Sequence, residues 1–301
     1  MSVEVVQENV GFLLEGPHWD DVTNTLLYVD ILGNTIYRYD PSSGQSKSVN
    51  IGETVGAAVP TASGRTLASG ASRVGFVDWE SGNFETVASL DLPPFTRFND
   101  SKCDPVGRYW TGTMGYEVTP SGAELPAKSK RGCLYRLDGE NKLSTHVQNV
   151  TISNGLAWTS DHATMYYIDS FSFGVDAFDY DIKTGDISNR RRVITIPEST
   201  GFPDGYMCID SDDMLWVAVF GAGSVNRYNP RTGELLRTVK LPVTIITSCC
   251  WGGAGLDELY VTTAKVSLTE QQLKTQDKAG SLFRVTGLGV KGVKGQPYMD
   301  A

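Results

Sequence analysis

The sequence predicts an all-β protein built as one six-bladed β-propeller, and two observations support this fold class. Six short strand cores rich in leucine and aromatic residues recur along the chain. They begin at Leu27, Leu67, Tyr109, Met165, Leu215 and Leu259, at intervals of 40 to 56 residues. A period of this length with several short strands in each unit is typical of propeller blades.

An equivalent position, here called the slot, lies about a dozen residues before each strand core. The six slots are occupied by Glu15, Val55, Asn99, Asn154, Asp204 and Ser248. In a propeller these positions start the innermost strands and face the central channel. The alternative fold, two stacked β-sandwiches, does not account for six slots in phase with six cores.

The first unit shows the sequence pattern of one blade. An inner strand at 16–19 is followed by a turn, alternating strands at 25–30 and 35–40, and a second turn at 41–44. Because a blade cannot bury both faces alone, the six units are expected to stack into one domain spanning 1–301. The strand at 3–6 is expected to complete the last blade and close the ring, which removes a free sheet edge.

The longest interval between strand cores contains an insertion at about 115–132 in blade three. This segment is polar and rich in proline, glycine and serine. It is expected to form a long loop that emerges where the slots open. Long loops in compact domains often act as lids, so we predict a lid here.

Bulk composition excludes several function classes. The net charge of −9 argues against nucleic-acid binding, and no apolar run is long enough to span a bilayer. With no visible secretory leader and five cysteines without C-x-x-C spacing, we expect reduced thiols and a cytoplasmic protein. No obligate protein partner is evident.

Three slots indicate a metal site. Glu15, Asn154 and Asp204 are each followed by glycine and offer only oxygen ligands, which suit Ca²⁺, Mg²⁺ or Mn²⁺. Each residue alone could simply mark a turn. Together, carboxylates gathered in one channel repel one another unless a cation or a proton lies between them.

Further residues are candidates for substrate contact. Arg97 and Asn99 in the third slot suit a polyhydroxylated or anionic substrate, although an Arg97–Asp100 structural pair is an equal alternative. Glu117 in the predicted lid could bind sugar hydroxyls or be a solvated loop charge. The three histidines occupy unrelated positions, which argues against a three-histidine zinc site.

The chain resembles the regucalcin/gluconolactonase family, also known as the senescence-marker-protein and luciferin-regenerating-enzyme family. The matching motifs are Glu15-Gly16-Pro17-His18-Trp19, Arg97-Phe98-Asn99-Asp100, Ser153-Asn154-Gly155-Leu156-Ala157-Trp158 and Pro203-Asp204-Gly205. The resemblance covers nearly the whole chain and implies a six-bladed propeller. It also implies that Glu15, Asn154 and Asp204 bind one divalent metal, and that Arg97, Asn99 and Glu117 meet a sugar lactone.

These observations together predict a metal-dependent lactonase that hydrolyses an aldono-1,4- or 1,5-lactone. Asp204 is the predicted catalytic base, and Ca²⁺ is the expected ion, with Zn²⁺, Mg²⁺ and Mn²⁺ as alternatives. Two other functions remain open: a calcium-binding regulatory protein, and a luciferin-regenerating or organophosphate-type hydrolase acting at the same site.

Overall fold

The computed structural model describes residues 1–119 and 124–300, and the strands among them form six antiparallel sheets. Blade one contains β2 (Leu14–Asp20), β3 (Thr25–Asp30), β4 (Thr35–Asp40) and β5 (Gln45–Asn50). Blade two contains β6 (Ala57–Pro60), β7 (Thr66–Ser69), β8 (Arg73–Val77) and β9 (Phe84–Ser89). Blade three contains β10 (Thr96–Cys103), β11 (Tyr109–Val118), β12 (Glu124–Pro126), β13 (Gly132–Asp138) and β14 (Lys142–Val150).

The second half of the chain repeats this arrangement. Blade four contains β15 (Ser153–Trp158), β16 (Thr164–Asp169), β17 (Gly174–Tyr180) and β18 (Ile187–Thr195). Blade five contains β19 (Phe202–Ile209), β20 (Leu215–Phe220), β21 (Ser224–Asn229) and β22 (Glu234–Lys240). Blade six contains β23 (Ile246–Gly252), β24 (Glu258–Thr263), β25 (Leu282–Thr286) and the N-terminal β1 (Ser2–Gln7).

The predicted six-bladed propeller is confirmed, and so is its closure by the N-terminal strand. β1 pairs antiparallel with β25 as the outermost strand of the last blade. The one α-helix among the described residues, α1 (Glu270–Thr275), lies between β24 and β25 and begins with a capping box at Thr269. No described helix is long and apolar enough to cross a membrane.

The apolar core lies between the blades. Each of the six apolar clusters formed by the described residues draws its side chains mainly from two adjacent blades. Trp110 and Trp216 are fully buried in two of them, as expected for packing residues. Burying one such large side chain stabilises the fold by about 3 kcal/mol, so the ring is held together across its blade interfaces.

The inner strands bulge where the slots lie. The pairing register shifts between Glu15 and His18 in β2, and between Ser153 and Leu156 in β15. A further shift lies between Asp204 and Cys208 in β19. A β-bulge bends a strand and redirects its side chains, and here it turns slot side chains toward the channel axis.

The predicted lid differs from a simple loop. Residues 115–118 continue β11, and β12 pairs back on them, with Tyr116 opposite Pro126 and Glu117 opposite Leu125. The segment is therefore a β-hairpin, because the backbone pairs where its polar composition suggested only a loop. Residues 120–123 at its tip lie outside the described residues.

Candidate metal centre

A pocket of about 610 Å³ opens where the inner strands begin. This opening, here called the front mouth, is lined by the polar side chains of Glu15, Arg97, Asn99 and Asp204. The rest of its wall is largely apolar and is formed by residues such as Leu13, Ile31, Met114, Tyr116, Phe202 and Phe220. The structure thus brings four of the six predicted site residues to one opening.

Asn154 lies just beneath this pocket and connects the third, fourth and fifth slots. Its Oδ1 accepts a hydrogen bond from Asn99 Nδ2 at 2.7 Å. Its Nδ2 donates to Asp204 Oδ1 at 2.8 Å and to Ser170 Oγ at 2.7 Å. The predicted ligands Asn154 and Asp204 are therefore in direct contact, although they are 50 residues apart in the chain.

Glu15 lies close to Asp204, although the two residues belong to blades one and five. Its Oε2 accepts hydrogen bonds from the Ser248 hydroxyl and from the backbone N–H of Gly16. A Cβ atom added to Gly205 would lie 2.4 Å from that same Oε2 and 1.9 Å from Ser248 Oγ. The glycine after Asp204 is therefore required so that the Glu15 carboxylate can lie against this backbone.

Burial shifts the ionisation of both carboxylates. Glu15 and Asp204 are 7% and 6% exposed. Burial, followed by the nearby Asp204 charge, raises the pKa of Glu15 well above its ordinary value. Burial also raises the pKa of Asp204 to about 7, against the opposing effect of a hydrogen bond from the Gly205 backbone.

The third slot supports the site from one side. Arg97 Nη1 donates to Asn99 Oδ1 and to the Phe98 carbonyl, each at 3.0 Å. Asp100 lies in the channel wall, where burial raises its pKa to about 7, and Oδ1 accepts from the Ser101 N–H. Arg97 thus holds Asn99 in place. Among the described contacts, no ion pair joins Arg97 to Asp100.

Glu117 does not join the other predicted residues. Its side chain is exposed on the hairpin, whereas the neighbouring Tyr116 and the opposite Leu125 line the pocket. The solvated-charge alternative describes the position that Glu117 occupies in this structure.

Two further residues at the site were not predicted as part of it. Ser248 occupies the sixth slot, so its position in the repeat was visible, but a hydroxyl that supports a neighbouring carboxylate has no sequence signature. Ser170 lies in a short 3₁₀ turn after β16. Nothing in its local sequence indicates that it receives a hydrogen bond from Asn154.

The donor set fits a hard divalent cation. The hydrogen-bond partners of the two buried carboxylates are neutral: they include Ser248 and the Gly16 amide for Glu15, and Asn154 and the Gly205 amide for Asp204. Buried charges with neutral partners need a cation or a proton. Within residues 1–119 and 124–300, no three His, Cys, Asp or Glu side chains cluster as a metal site; the set here has two carboxylates and an amide.

Comparison with known proteins identifies the family. A family model described as the SMP-30/gluconolactonase/LRE-like region matches residues 13–265. The chain belongs to this family. Regucalcin of Danio rerio is 42% identical over 298 residues, covering 99% of this chain and 98% of the relative. Regucalcin of Homo sapiens is 42% identical over 285 residues, covering 94% of each.

Solved structures of the family have the same architecture. A luciferin-regenerating enzyme matches with a TM-score of 0.90 and 36% identity, covering 99% of each chain. A regucalcin from Agrobacterium tumefaciens, described as a calcium-binding protein, has a TM-score of 0.89 at 24% identity over 99% of this chain and 97% of that one. A gluconolactonase from Xanthomonas campestris has a TM-score of 0.69 at 18% identity, covering 97% and 89%. The last two show the fold alone.

Proposed function

We propose that the protein is a divalent-metal-dependent lactonase that hydrolyses a sugar lactone of the aldono-1,4- or 1,5-lactone class. The observation that carries this proposal is the meeting of two buried carboxylates, each with neutral partners, at the floor of an open pocket. The family model supports the reaction class. The pocket leaves space for a small substrate directly above these carboxylates.

Glu15, Asn154 and Asp204 would hold the metal, with Ca²⁺ as the expected ion. A bound divalent cation supplies Lewis acidity toward the acyl oxygen of an ester. Ser248 and Ser170 orient this set by hydrogen bonds to Glu15 and Asn154. Such supporting contacts commonly change metal affinity 10- to 100-fold, in order of magnitude, when they are removed.

Asp204 is the proposed general base. Asn154 Nδ2 holds one of its oxygens, which orients the carboxylate at the floor of the pocket. Asp204 accepts a proton from the attacking water as the water oxygen bonds to the acyl carbon. It returns that proton to the ring oxygen when the acyl–oxygen bond breaks, so the product is a hydroxy acid.

Arg97 and Asn99 are proposed to orient the substrate. Both line the front mouth, and the hydrogen bond between them limits the movement of either side chain. Their planar groups can bind hydroxyl and carbonyl oxygens through several N–H donors. This polar wall stands opposite a largely apolar one.

The apolar wall favours a second candidate substrate class, esters or lactones with an apolar body. Leu13, Ile31, Phe202 and Phe220 offer few partners for sugar hydroxyls. The solved luciferin-regenerating enzyme, 36% identical to this chain, supports this second candidate. A regulatory calcium-binding role is less favoured, because Ca²⁺ takes six to eight oxygens and the proposed set has three ligating residues.

The proposal is tested by assaying a lactone panel with Ca²⁺, Mg²⁺, Mn²⁺ and Zn²⁺ after chelation. The panel pairs polyhydroxylated aldonolactones with alkyl lactones of the same ring size. We expect hydrolysis to require added metal. Asp204→Ala should reduce kcat by at least about 100-fold and weaken metal binding, whereas the exposed Asp257→Ala should do neither. Metal-independent hydrolysis, or a fully active Asp204→Ala variant, would overturn the proposal.

A further inference from the structure

A second cavity lies at the opposite end of the central channel, where the inner strands end. The space within it, part of which is open to solvent, is about 660 Å³. This opening is here called the rear mouth, and its lining includes His18, Trp19, Lys102, Trp158, Tyr206 and Trp251. It shares no lining residue with the front mouth.

The C-terminal segment covers the rear mouth. At one end Val293 N–H donates to the Ile209 carbonyl at 3.2 Å, and at the other Tyr298 N–H donates to the Pro60 carbonyl at 2.9 Å. Between these anchors, Lys294, Gly295 and Gln296 line the cavity. The cavity is therefore enclosed by chain that is not part of the blade repeat.

Buried donors without partners lie around this cavity. His18 is 1% exposed; its Nδ1 contacts Tyr206 Oη at 2.9 Å, and its Nε2 has no hydrogen-bond partner among the described residues. A Cβ atom on Gly295 would lie 3.0 Å from that Nε2, so the nitrogen faces the cavity side. The indole Nε1 atoms of Trp158 and Trp251, both more than nine-tenths buried, also lack partners there.

The charge of the lining is positive. Lys102 Nζ donates to the Met207 carbonyl at 2.8 Å and lies 3.9 Å from the centre of the Tyr206 ring. Lys294 also lines the cavity and pairs with Asp21 at 2.7 Å. No Asp or Glu is among the described lining residues, although the protein has a net charge of −9.

We propose that the rear mouth is a second ligand site that binds a small organic carboxylate. Ammonium and indole N–H groups can only donate, and the Nε2 of a neutral His18 donates when the Tyr206 hydroxyl donates to Nδ1. The ligand group that complements these donors therefore only accepts hydrogen bonds, and its negative charge lies near the Lys102 ammonium group. The indole groups of Trp19, Trp158 and Trp251 in the lining suit a planar or apolar body.

The site is tested on the full-length protein by calorimetric titration with benzoate, benzamide and inorganic phosphate. Benzamide has the shape of benzoate without its charge, and phosphate has the charge without an organic body. We expect benzoate to bind at least tenfold more tightly than either. Equal binding of benzamide would refute the role of charge, and equal binding of phosphate would refute the organic body.

Variants locate the binding. Lys102→Met should weaken benzoate binding at least about tenfold, the size expected for one charge-assisted hydrogen bond. Lys47→Met, on the exposed strand β5, is the matched control and should not weaken it. If Lys102→Met does not fold, Trp158→Phe removes one unpartnered N–H with little change of shape and should weaken binding severalfold.

Two readouts separate this site from the front mouth. Three of the six tryptophans line the rear mouth, and none is among the described lining residues of the front mouth, so benzoate should change tryptophan fluorescence. Binding should also survive chelation of metal and the Asp204→Ala substitution. If either abolishes binding, benzoate occupies the front mouth and the inference is wrong, whether or not the lactonase proposal holds.

Discussion

The two mouths of the channel are built from opposite ends of the same inner strands, yet they differ in chemistry. The front mouth has two buried carboxylates with neutral partners, Glu15 and Asp204. The rear mouth has Lys102 and buried ring nitrogens without acceptors. The front mouth therefore fits a cation or a proton, whereas the rear mouth fits an anion.

The comparison also shows two ways of building a site in a repeat protein. The front mouth uses equivalent positions of successive blades, which the ring brings together around one axis. The rear mouth is lined mainly by residues three or four positions after the slots, such as His18, Lys102 and Trp158, together with a terminal segment outside the repeat. Symmetry thus positions the side chains of both sites, and the path of the chain terminus covers only the second.

The largest expected effect comes from Gly205→Ala. The new Cβ would lie within 2.4 Å of Ser248 Oγ, the Thr247 carbonyl and Glu15 Oε2, at a residue with a φ of +38°. We expect a loss of about 3 kcal/mol in the free energy of unfolding together with loss of metal binding. Urea unfolding and metal titration measure both.

The matched control for that change is Gly221→Ala in the same blade. Gly221 has a φ of +87° but no atom within 4 Å of an added Cβ. Gly221→Ala should lower the free energy of unfolding only by the backbone strain, about 1 kcal/mol, and should retain metal binding. Equal effects of the two substitutions would mean that close approach at Gly205 does not shape the front mouth.

Ser248→Ala is expected to have the next largest effect. It removes the hydroxyl that donates to Glu15 Oε2 and should weaken metal binding about 10- to 100-fold. Ser101→Ala removes another buried hydroxyl of the channel, one that bonds Thr111 instead, and should leave metal affinity unchanged. Isothermal titration of the two variants decides whether Ser248 belongs to the front mouth.

The rear mouth predicts a specific pH dependence of stability. Burial, followed by the Lys102 charge, lowers the pKa of His18 from 6.5 to about 3, against the opposing charges of Asp20 and Asp21. Below about pH 6.5, His18 takes up a proton in the unfolded chain but stays neutral in the folded protein. The free energy of unfolding therefore decreases as the pH falls from that value toward 3.

His18→Gln should remove this dependence. The free energy of unfolding of the wild-type protein should fall relative to that of the variant by up to about 1.4 kcal/mol for each pH unit between pH 6 and 4. Urea unfolding at several pH values measures the free energy of unfolding of both proteins. The difference between the two values removes the contribution of the titratable groups that both proteins share. Parallel pH profiles would show that His18 is already charged in the fold.

The smallest expected effect is that of Glu117→Gln. Because Glu117 is exposed and does not line the front mouth, KM for a hydrolysed lactone should change less than about twofold, as for most exposed substitutions. Arg97→Lys, which alters a lining side chain, should raise KM more. A tenfold increase for Glu117→Gln would restore it to the substrate-binding set.

The amino-acid sequence by itself determined the number of blades, the closing strand and which slot residues meet at the candidate metal centre. It could do so because a propeller repeats one pattern, and equivalent positions such as Glu15 and Asp204 must meet at the axis. Only the tertiary structure decided that Ser248 and Ser170 support these residues, that the lid is a hairpin with Glu117 facing outward, and that a cavity closes beneath the C-terminal segment. Those features depend on which hydrogen bonds the distant side chains form and on how the hairpin and the C-terminal segment pack, for which spacing along the chain carries no signal.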